Sequence, residues 1–140
     1  MAIADPKIYN PKMCKMAFGN HMASGYGEDT FISIEEHGDG VEEVVGADGS
    51  ENISISPDDM QTITATFLQN SPTNAFLNNM YKKMKQDGTG FFPILIRDMM
   101  GGEQYAATWA CVKKSATWVR AKGLQAREWT IIAHGEIKEF

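Results

Sequence analysis

The sequence lacks positive charge over a long central stretch. No lysine or arginine occurs from Ala17 through Tyr81, whereas the same stretch contains eleven acidic residues. These are Glu28, Asp29, Glu35, Glu36, Asp39, Glu42, Glu43, Asp48, Glu51, Asp58 and Asp59. With a net charge of −5, the chain is a poor candidate for binding nucleic acid over a broad face, because such binding depends on cations that replace phosphate counterions.

Cysteines and long apolar runs are also scarce. The two cysteines, Cys14 and Cys111, match no metal-binding or redox spacing, so we expect a protein of a reducing compartment with no metal site and no cofactor. No apolar run reaches the roughly 18 residues of a membrane span, and residues 1–12 lack the apolar region of a signal peptide. We therefore expect a soluble single domain over residues 1–140, with 1–11 as an extended N-terminal segment.

Positive charge is concentrated in the second half of the chain. Nine cations lie between Lys82 and Arg127, against three acids. Five of them form a candidate basic stacking surface: Lys113, Lys114, Arg120, Lys122 and Arg127. An acidic surface of one copy can contact a basic surface of the next, and repeated head to tail this contact makes rings or filaments. Alternatively, the two halves neutralise each other within one monomer, and charge alone leaves both interpretations open.

Most of the apolar pattern has a period of two, which is typical of β-strands. It predicts strands over 31–35, 61–67, 91–97, 105–113 and 124–137, and a weaker first strand over 13–22. In the second of these, Ile63, Ala65 and Phe67 are expected to face the core and the threonines to face away. The alternation also places Tyr105, Ala107, Trp109 and Cys111 on one face of their strand, and Arg127, Trp129, Ile131 and Ala133 on one face of the last.

One segment has helical spacing instead. Ser71 and Pro72 provide an N-cap and a first-turn proline, and Asp87-Gly88 ends the pattern. The sequence therefore predicts one helix over about 71–86, with a single apolar stripe that packs against the strands.

A long connection over residues 38–50 contains an apolar trio, Val41, Val44 and Val45, among acids and glycines. Solvated loops seldom expose such a cluster without use. We consider two alternatives: an inter-subunit arm that buries these valines in a neighbour, with Asp48 as a further candidate residue of the arm, or a loop folded back on its own domain.

The sequence offers little for catalysis. Neighbouring carboxylates on a strand point to opposite faces, and the three histidines have no local partner. Cys111 or a serine with His134 is the remaining nucleophile–base candidate, but no GxSxG context is present. We expect no catalytic, cofactor-binding or metal-binding residues.

Several segments together resemble the tail tube proteins of contractile-tailed bacteriophages. They are Val44-Val45-Gly46-Ala47-Asp48-Gly49-Ser50, the strand Ile63-Thr64-Ala65-Thr66-Phe67-Leu68, Ser71-Pro72-Thr73-Asn74 opening a short helix, and the late strand Arg127-Glu128-Trp129-Thr130-Ile131-Ile132. The likeness runs from about Ala17 to Ile137. It is weakest over the first eleven residues and over the connector 113–123.

The resemblance implies a mainly β fold: an antiparallel β-sandwich or partly rolled barrel with one flanking helix. It also implies that six copies form a ring, that rings stack into a tube, and that the genome passes through this tube. The implied partners are further copies, a tail sheath protein, baseplate and tail terminator proteins, and double-stranded DNA in transit. The implied location is the virion tail, with assembly in the host cytoplasm.

A tube that conducts DNA is expected to have a neutral or acidic lining, since basic side chains would hold the phosphates. Glu35, Thr62, Thr64 and Thr66 are the candidate lumen-facing residues. Two alternatives remain: a tube subunit of a phage-like bacteriocin or type VI secretion apparatus, and a monomeric β-barrel module that binds a ligand.

Overall fold

The structure, a computed structural model, describes residues 14–24, 26, 32–98, 102–118, 120 and 122–139. The predicted N-terminal segment 1–11 lies outside these residues. In chain order the elements are β1 (Cys14–Phe18), β2 (His21–Met22), β3 (Ile32–Glu36), β4 (Val41–Val45), β5 (Glu51–Ile55), β6 (Gln61–Leu68), α1 (Pro72–Asp87), β7 (Phe92–Asp98), β8 (Glu103–Lys114) and β9 (Ala126–Glu139). The prediction of a mainly β protein with one helix is confirmed.

Seven strands form one antiparallel sheet in the order β2-β1-β7-β8-β9-β6-β3. Four strand spacings separate β1 from β6, which is about 19 Å in a flat sheet. The rings of Phe18 on β1 and Phe67 on β6 are nevertheless only 6.4 Å apart. The sheet is therefore strongly rolled without closing into a barrel, so of the two expected forms it takes the partly rolled one.

The concave side of the sheet holds the core. Ile63, Ala65 and Phe67 are fully buried there, as predicted, and Trp129, Ile131 and Ala133 face them from the neighbouring strand β9. The threonines of β6 lie on the convex side and are only partly covered.

The helix begins and ends at the predicted signals. The Ser71 hydroxyl accepts a hydrogen bond from the Thr73 backbone amide, Pro72 occupies the first turn, and Gly88 ends the helix in the left-handed conformation with φ 73°. On its inner face Leu77 is fully buried, and Phe76 stacks on Phe18. The helix thus covers the end of the rolled sheet at which β6 finishes and β7 starts.

Two predictions about strands were wrong. Residues 13–22 do not form one strand, because Gly19, with φ 59°, makes a turn that returns the chain along β1 as β2. In β8 the buried face changes after Ala107, since the pairing with β9 slips by one residue between Ala107 and Trp109.

This β-bulge buries Tyr105, Ala107, Ala110 and Val112 and turns Trp109 and Cys111 to the convex side. Gly135 lies opposite the bulge, where a Cβ atom would stand 2.2 Å from the Ala106 carbonyl oxygen. The close approach of the two strands therefore requires glycine at this position.

Candidate functional site

The predicted arm is a β-hairpin that stands apart from the main sheet. β4 and β5 pair only with each other, and all ten of their residues are exposed. At the tip, the Gly46 amide donates to the Ser50 carbonyl oxygen at 2.7 Å, and the Ser50 amide donates to the Asp48 carboxylate at 3.0 Å. Hydrogen bonds from Ser50 hold the pKa of Asp48 below its usual value. The arm therefore has a defined conformation and extends to Ile55, five residues beyond the predicted loop.

The two faces of the hairpin differ in character. The register pairs Val41 with Ile55 and Val45 with Glu51, and Glu43 with Ile53 between them. Paired residues share a face, and neighbours along a strand lie on opposite faces. One face therefore presents Val41, Val45, Ile53 and Ile55 together with Glu43 and Glu51. Val44 lies on the other face, with Glu42, Asn52 and Ser54.

The sequence interpretation grouped the three valines and missed the two isoleucines. Ile53-Ser54-Ile55 alternates after Asp48-Gly49, which is a recognisable hairpin signal. An exposed β-ribbon with four aliphatic side chains on one face is suited to docking against another surface.

Acidic side chains surround the base of the hairpin. A cleft of about 710 Å³ between the hairpin and the ends of β8 and β9 is lined by Glu36, Asp58, Asp59 and Glu136 among other residues. His37 Nδ1 lies 2.8 Å from the Asp58 carboxylate, which also accepts a hydrogen bond from the Met60 amide. These hydrogen bonds lower the pKa of Asp58.

The candidate lumen-facing residues lie side by side on the convex surface. Glu35 on β3 pairs with Thr62 on β6, and Thr64 pairs with Thr130 on β9. Thr66 continues the row toward the helix end of the sheet. The structure thus brings all four predicted residues together on a hydroxyl-rich, weakly acidic surface.

The predicted basic surface lies at the opposite end of the strands. Lys113 and Lys114 are exposed at the end of β8, Lys122 is exposed in the following connector, and the Arg120 guanidinium lies 4.3 Å from the centre of the Trp118 ring. Arg127 differs from the other four because it is half-buried beside Trp129, with its Nε atom buried.

The antiparallel register therefore places the acidic and basic residues, which are separated along the sequence, at opposite ends of the subunit. At one end β3 finishes at Glu36, β6 starts after Asp58 and Asp59, and the hairpin carries four more acids. At the other end lie the basic residues of the β8–β9 connector and the lysines of α1. Among the described residues, the cations of the acidic end are Lys15, Arg97 and Lys138, and Lys138 pairs with Glu136 at 2.9 Å.

The described part of the chain neither clusters metal ligands nor joins the predicted nucleophile–base pair. In that part, no three His, Cys, Asp or Glu side chains cluster closely enough to hold a metal ion. Cys111 and His134 share the convex face, but no hydrogen bond joins them among the described residues, and burial raises the pKa of the Cys111 thiol. A protonated thiol is a weak nucleophile. No described helix has the length and apolar character needed to cross a membrane.

Solved structures share this fold. A chain of the anti-feeding prophage cap, which terminates the tube, is 14% identical with a TM-score of 0.55, and the match covers 100% of this chain and 97% of that one. The sheath/tube terminator of the PVC extracellular contractile injection system is 11% identical with a TM-score of 0.64, and the match covers 98% of this chain and 99% of that one. A chain of the PVC sheath–tube complex is 11% identical with a TM-score of 0.58, and the match covers 91% of this chain and 88% of that one.

Sequence comparison identifies phage relatives. Structural protein ORF10 of Pseudomonas phage KPP10 is 25% identical over 114 residues, which cover 80% of this chain but only 66% of that protein. The family model described as the bacteriophage PhiTE tail tube protein matches residues 13–140. Since this match covers nearly the whole chain, the protein belongs to the PhiTE-type family of bacteriophage tail tube proteins.

Proposed function

We propose that the protein is a non-enzymatic structural subunit whose copies form hexameric rings, and that these rings stack into the inner tube of a contractile phage tail. The observation that carries the proposal is the family match over residues 13–140. On this proposal the tube conducts the genome during ejection and contacts a tail sheath, a baseplate and a tail terminator. It belongs to the virion and assembles in the host cytoplasm.

The form of the sheet supports assembly into a ring. The sheet is rolled but open, and among the described residues no further strand pairs with the outer side of β3 or of the short β2. Unpaired strand edges are aggregation hazards unless another strand covers them. Pairing of edge strands between neighbouring copies would remove these edges and create a larger barrel shared by the ring.

Charge at the two ends supports stacking in one direction. The acidic end with its hairpin and the basic end with Lys113, Lys114 and Lys122 lie at opposite ends of the strands. Head-to-tail stacking places these surfaces against each other. In this arrangement the hairpin is the inter-subunit arm, with Val41, Val45, Ile53 and Ile55 as its apolar anchors.

The convex row of Glu35, Thr62, Thr64 and Thr66 is the proposed lining of the lumen. Hydroxyl groups keep such a surface hydrated, and the carboxylate repels phosphate. DNA carries one charge per about 1.7 Å of duplex, so a lining without exposed cations favours its free passage.

Negative-stain electron microscopy of the purified protein over a concentration and salt series tests the proposal. We expect hollow tubes with sixfold end views, and fewer tubes at high salt because surface charge is screened over about 8 Å at physiological ionic strength. A protein that stays monomeric at all concentrations, alone and with tail baseplates as initiators, would contradict the proposal and favour the ligand-binding module.

A tube subunit of a phage-like bacteriocin or secretion apparatus is the second candidate. The similarity in fold to injection-system chains favours it. Isolation of native particles distinguishes the two, because tubes attached to DNA-filled capsids identify a phage tail and free contractile particles identify an injection system.

A further inference from the structure

A cleft at the basic end of the protein has an incomplete set of polar contacts. It has a volume of about 510 Å³ and lies between the start of α1, the connector after β8 and the adjoining ends of β6 and β9. Gln69, Trp118, Arg120, Arg127 and Trp129 contribute to its walls. Arg127 pairs with Phe67, whose side chain faces the core. The Arg127 side chain therefore enters the cleft from the core side of the sheet.

Two buried polar atoms in these walls have no hydrogen-bond partner within the described part of the chain: Gln69 Oε1 and Arg127 Nε. The neighbouring polar side chains do have hydrogen-bond partners. The Trp129 indole donates to Asn74 Oδ1 at 2.9 Å, and the Asn74 amide donates to the Leu68 carbonyl oxygen at 2.8 Å. Since buried polar groups are nearly always paired in native proteins, these two atoms leave unused hydrogen-bonding capacity in the walls of the cleft.

The rim of the cleft is both aromatic and cationic. Trp118 is 68% exposed, with the Arg120 guanidinium 4.3 Å from its ring centre. The complementary surface therefore needs aliphatic side chains next to carboxylates. An arginine binds a carboxylate through two parallel N–H donors, which makes the Arg127 side chain a suitable partner for an acid.

The hairpin β4–β5 has this combination on one face, where Glu43 and Glu51 are surrounded by valines and isoleucines. It also lies at the other end of the strands from the cleft. We infer that the cleft receives the apolar face of the hairpin from a second copy, and that Arg127 pairs with Glu43 or Glu51. This inference rests on the proposed function, since head-to-tail stacking brings the two surfaces together.

Charge exchange tests the contact. Arg127→Glu alone, and Glu43→Arg with Glu51→Arg, should each raise the critical concentration for tube formation by about thirtyfold or more. All three changes in one chain should restore it to within about threefold of wild type, because the pairing is re-formed with inverted sign. Lys82→Glu is the matched control: it reverses one exposed charge on α1, outside the cleft and outside the basic stacking surface, and should have little effect. Circular dichroism checks that each variant is folded.

Disulfide trapping tests proximity directly. In a Cys14→Ser, Cys111→Ser background, Ser115→Cys at the cleft and Ile53→Cys on the docking face should give a ladder of linked subunits under mild oxidation. Moving the second cysteine to the opposite face of the hairpin, with Ser54→Cys, should give none.

The outcomes separate the inference from the proposed function. If wild-type tubes form and Arg127→Glu leaves their critical concentration unchanged, the cleft inference is overturned and the tube proposal stands. If the wild-type protein forms no tubes and the Ser115→Cys, Ile53→Cys variant forms no ladder, both are overturned. If Arg127→Glu instead abolishes retention of a short DNA duplex without affecting tubes, the cleft belongs to a phosphate ligand and the inference is wrong.

Discussion

The hairpin provides the sharpest prediction because its two faces can be altered separately. We expect Val45→Asp combined with Ile53→Asp to block tube formation while the monomer remains folded. The reason is that both side chains are already exposed, by 67% and 68%, and contact no part of the core. Substitutions at such exposed sites usually change the free energy of unfolding by less than about 0.5 kcal/mol.

The size of the assembly defect follows from the surface left to bury. Full burial of a valine or isoleucine side chain contributes about 1.5–3 kcal/mol. Since about two thirds of each side chain is still exposed, burial of both on docking would contribute about 2–4 kcal/mol to each contact. A change of about 1.4 kcal/mol is tenfold in an equilibrium constant, so the critical concentration should rise by about 30- to 700-fold.

Sedimentation of tubes over a concentration series measures this shift, and thermal unfolding reports the stability of the monomer. Val44→Asp combined with Ser54→Asp is the control, because it introduces the same two negative charges on the opposite face of the hairpin. Tubes that form from the double variant at the wild-type concentration would refute a docking role for the hairpin. An equal defect in this control would refute the assignment of the docking face.

Three further predictions concern the subunit itself. Asn74→Ala leaves the buried Trp129 indole without its acceptor and should lower the free energy of unfolding by about 1–3 kcal/mol, whereas Asn78→Ala, exposed on the same helix, should change it by less than about 0.5 kcal/mol in urea titration. Gly135→Ala places a Cβ atom 2.2 Å from a backbone oxygen of β8 and should lower the melting temperature measured by calorimetry; an unchanged value would contradict the close strand approach. The pKa of Asp58 is lowered by hydrogen bonds. Its stabilising effect is therefore present above the unfolded pKa of about 3.9 and is lost as the pH falls through the lowered pKa. Asp58→Asn should weaken the acid dependence of the free energy of unfolding in this range, and an unchanged pH profile of stability would contradict this prediction.

Much of the fold follows from local signals in the sequence. The signals that start and end the helix depend only on residues a few positions away: Ser71 and Pro72 at its start and Gly88 at its end. Both ends of the helix are therefore predictable. The bulge in β8 is not, because both faces of that strand carry apolar residues, such as Trp109 on one and Val112 on the other. Which of the two faces is buried depends on the extra residue that β8 accommodates opposite Gly135. That depends on a contact between strands and not on local sequence.

The candidate site was predictable only in part. The valines of the arm were visible, but adjacent residues such as Val44 and Val45 separate onto different faces only once the strand pairing is known. Arg127 was predicted both to share a face with Trp129 and to belong to a basic surface. Its position at the very start of β9 reconciles the two, since a core-facing residue at a strand end opens into the cleft. Gln69 carried no signal, because its unpaired oxygen results from the packing of the helix start and the connector around it.

Charge and topology together favour one symmetry for the proposed assembly. A two-fold dimer through the acidic ends would bring Glu36, Asp58, Asp59 and Glu136 of two copies together, and like charges facing each other are unfavourable. A two-fold contact through the basic ends would oppose Lys113, Lys114 and Lys122 in the same way. Only the heterologous contact places opposite charges against each other, and a contact of that kind repeats without self-termination. The cation-free stretch from Ala17 to Tyr81 therefore favours a polar stack over a closed dimer, because the antiparallel register collects its acids at one end of the subunit.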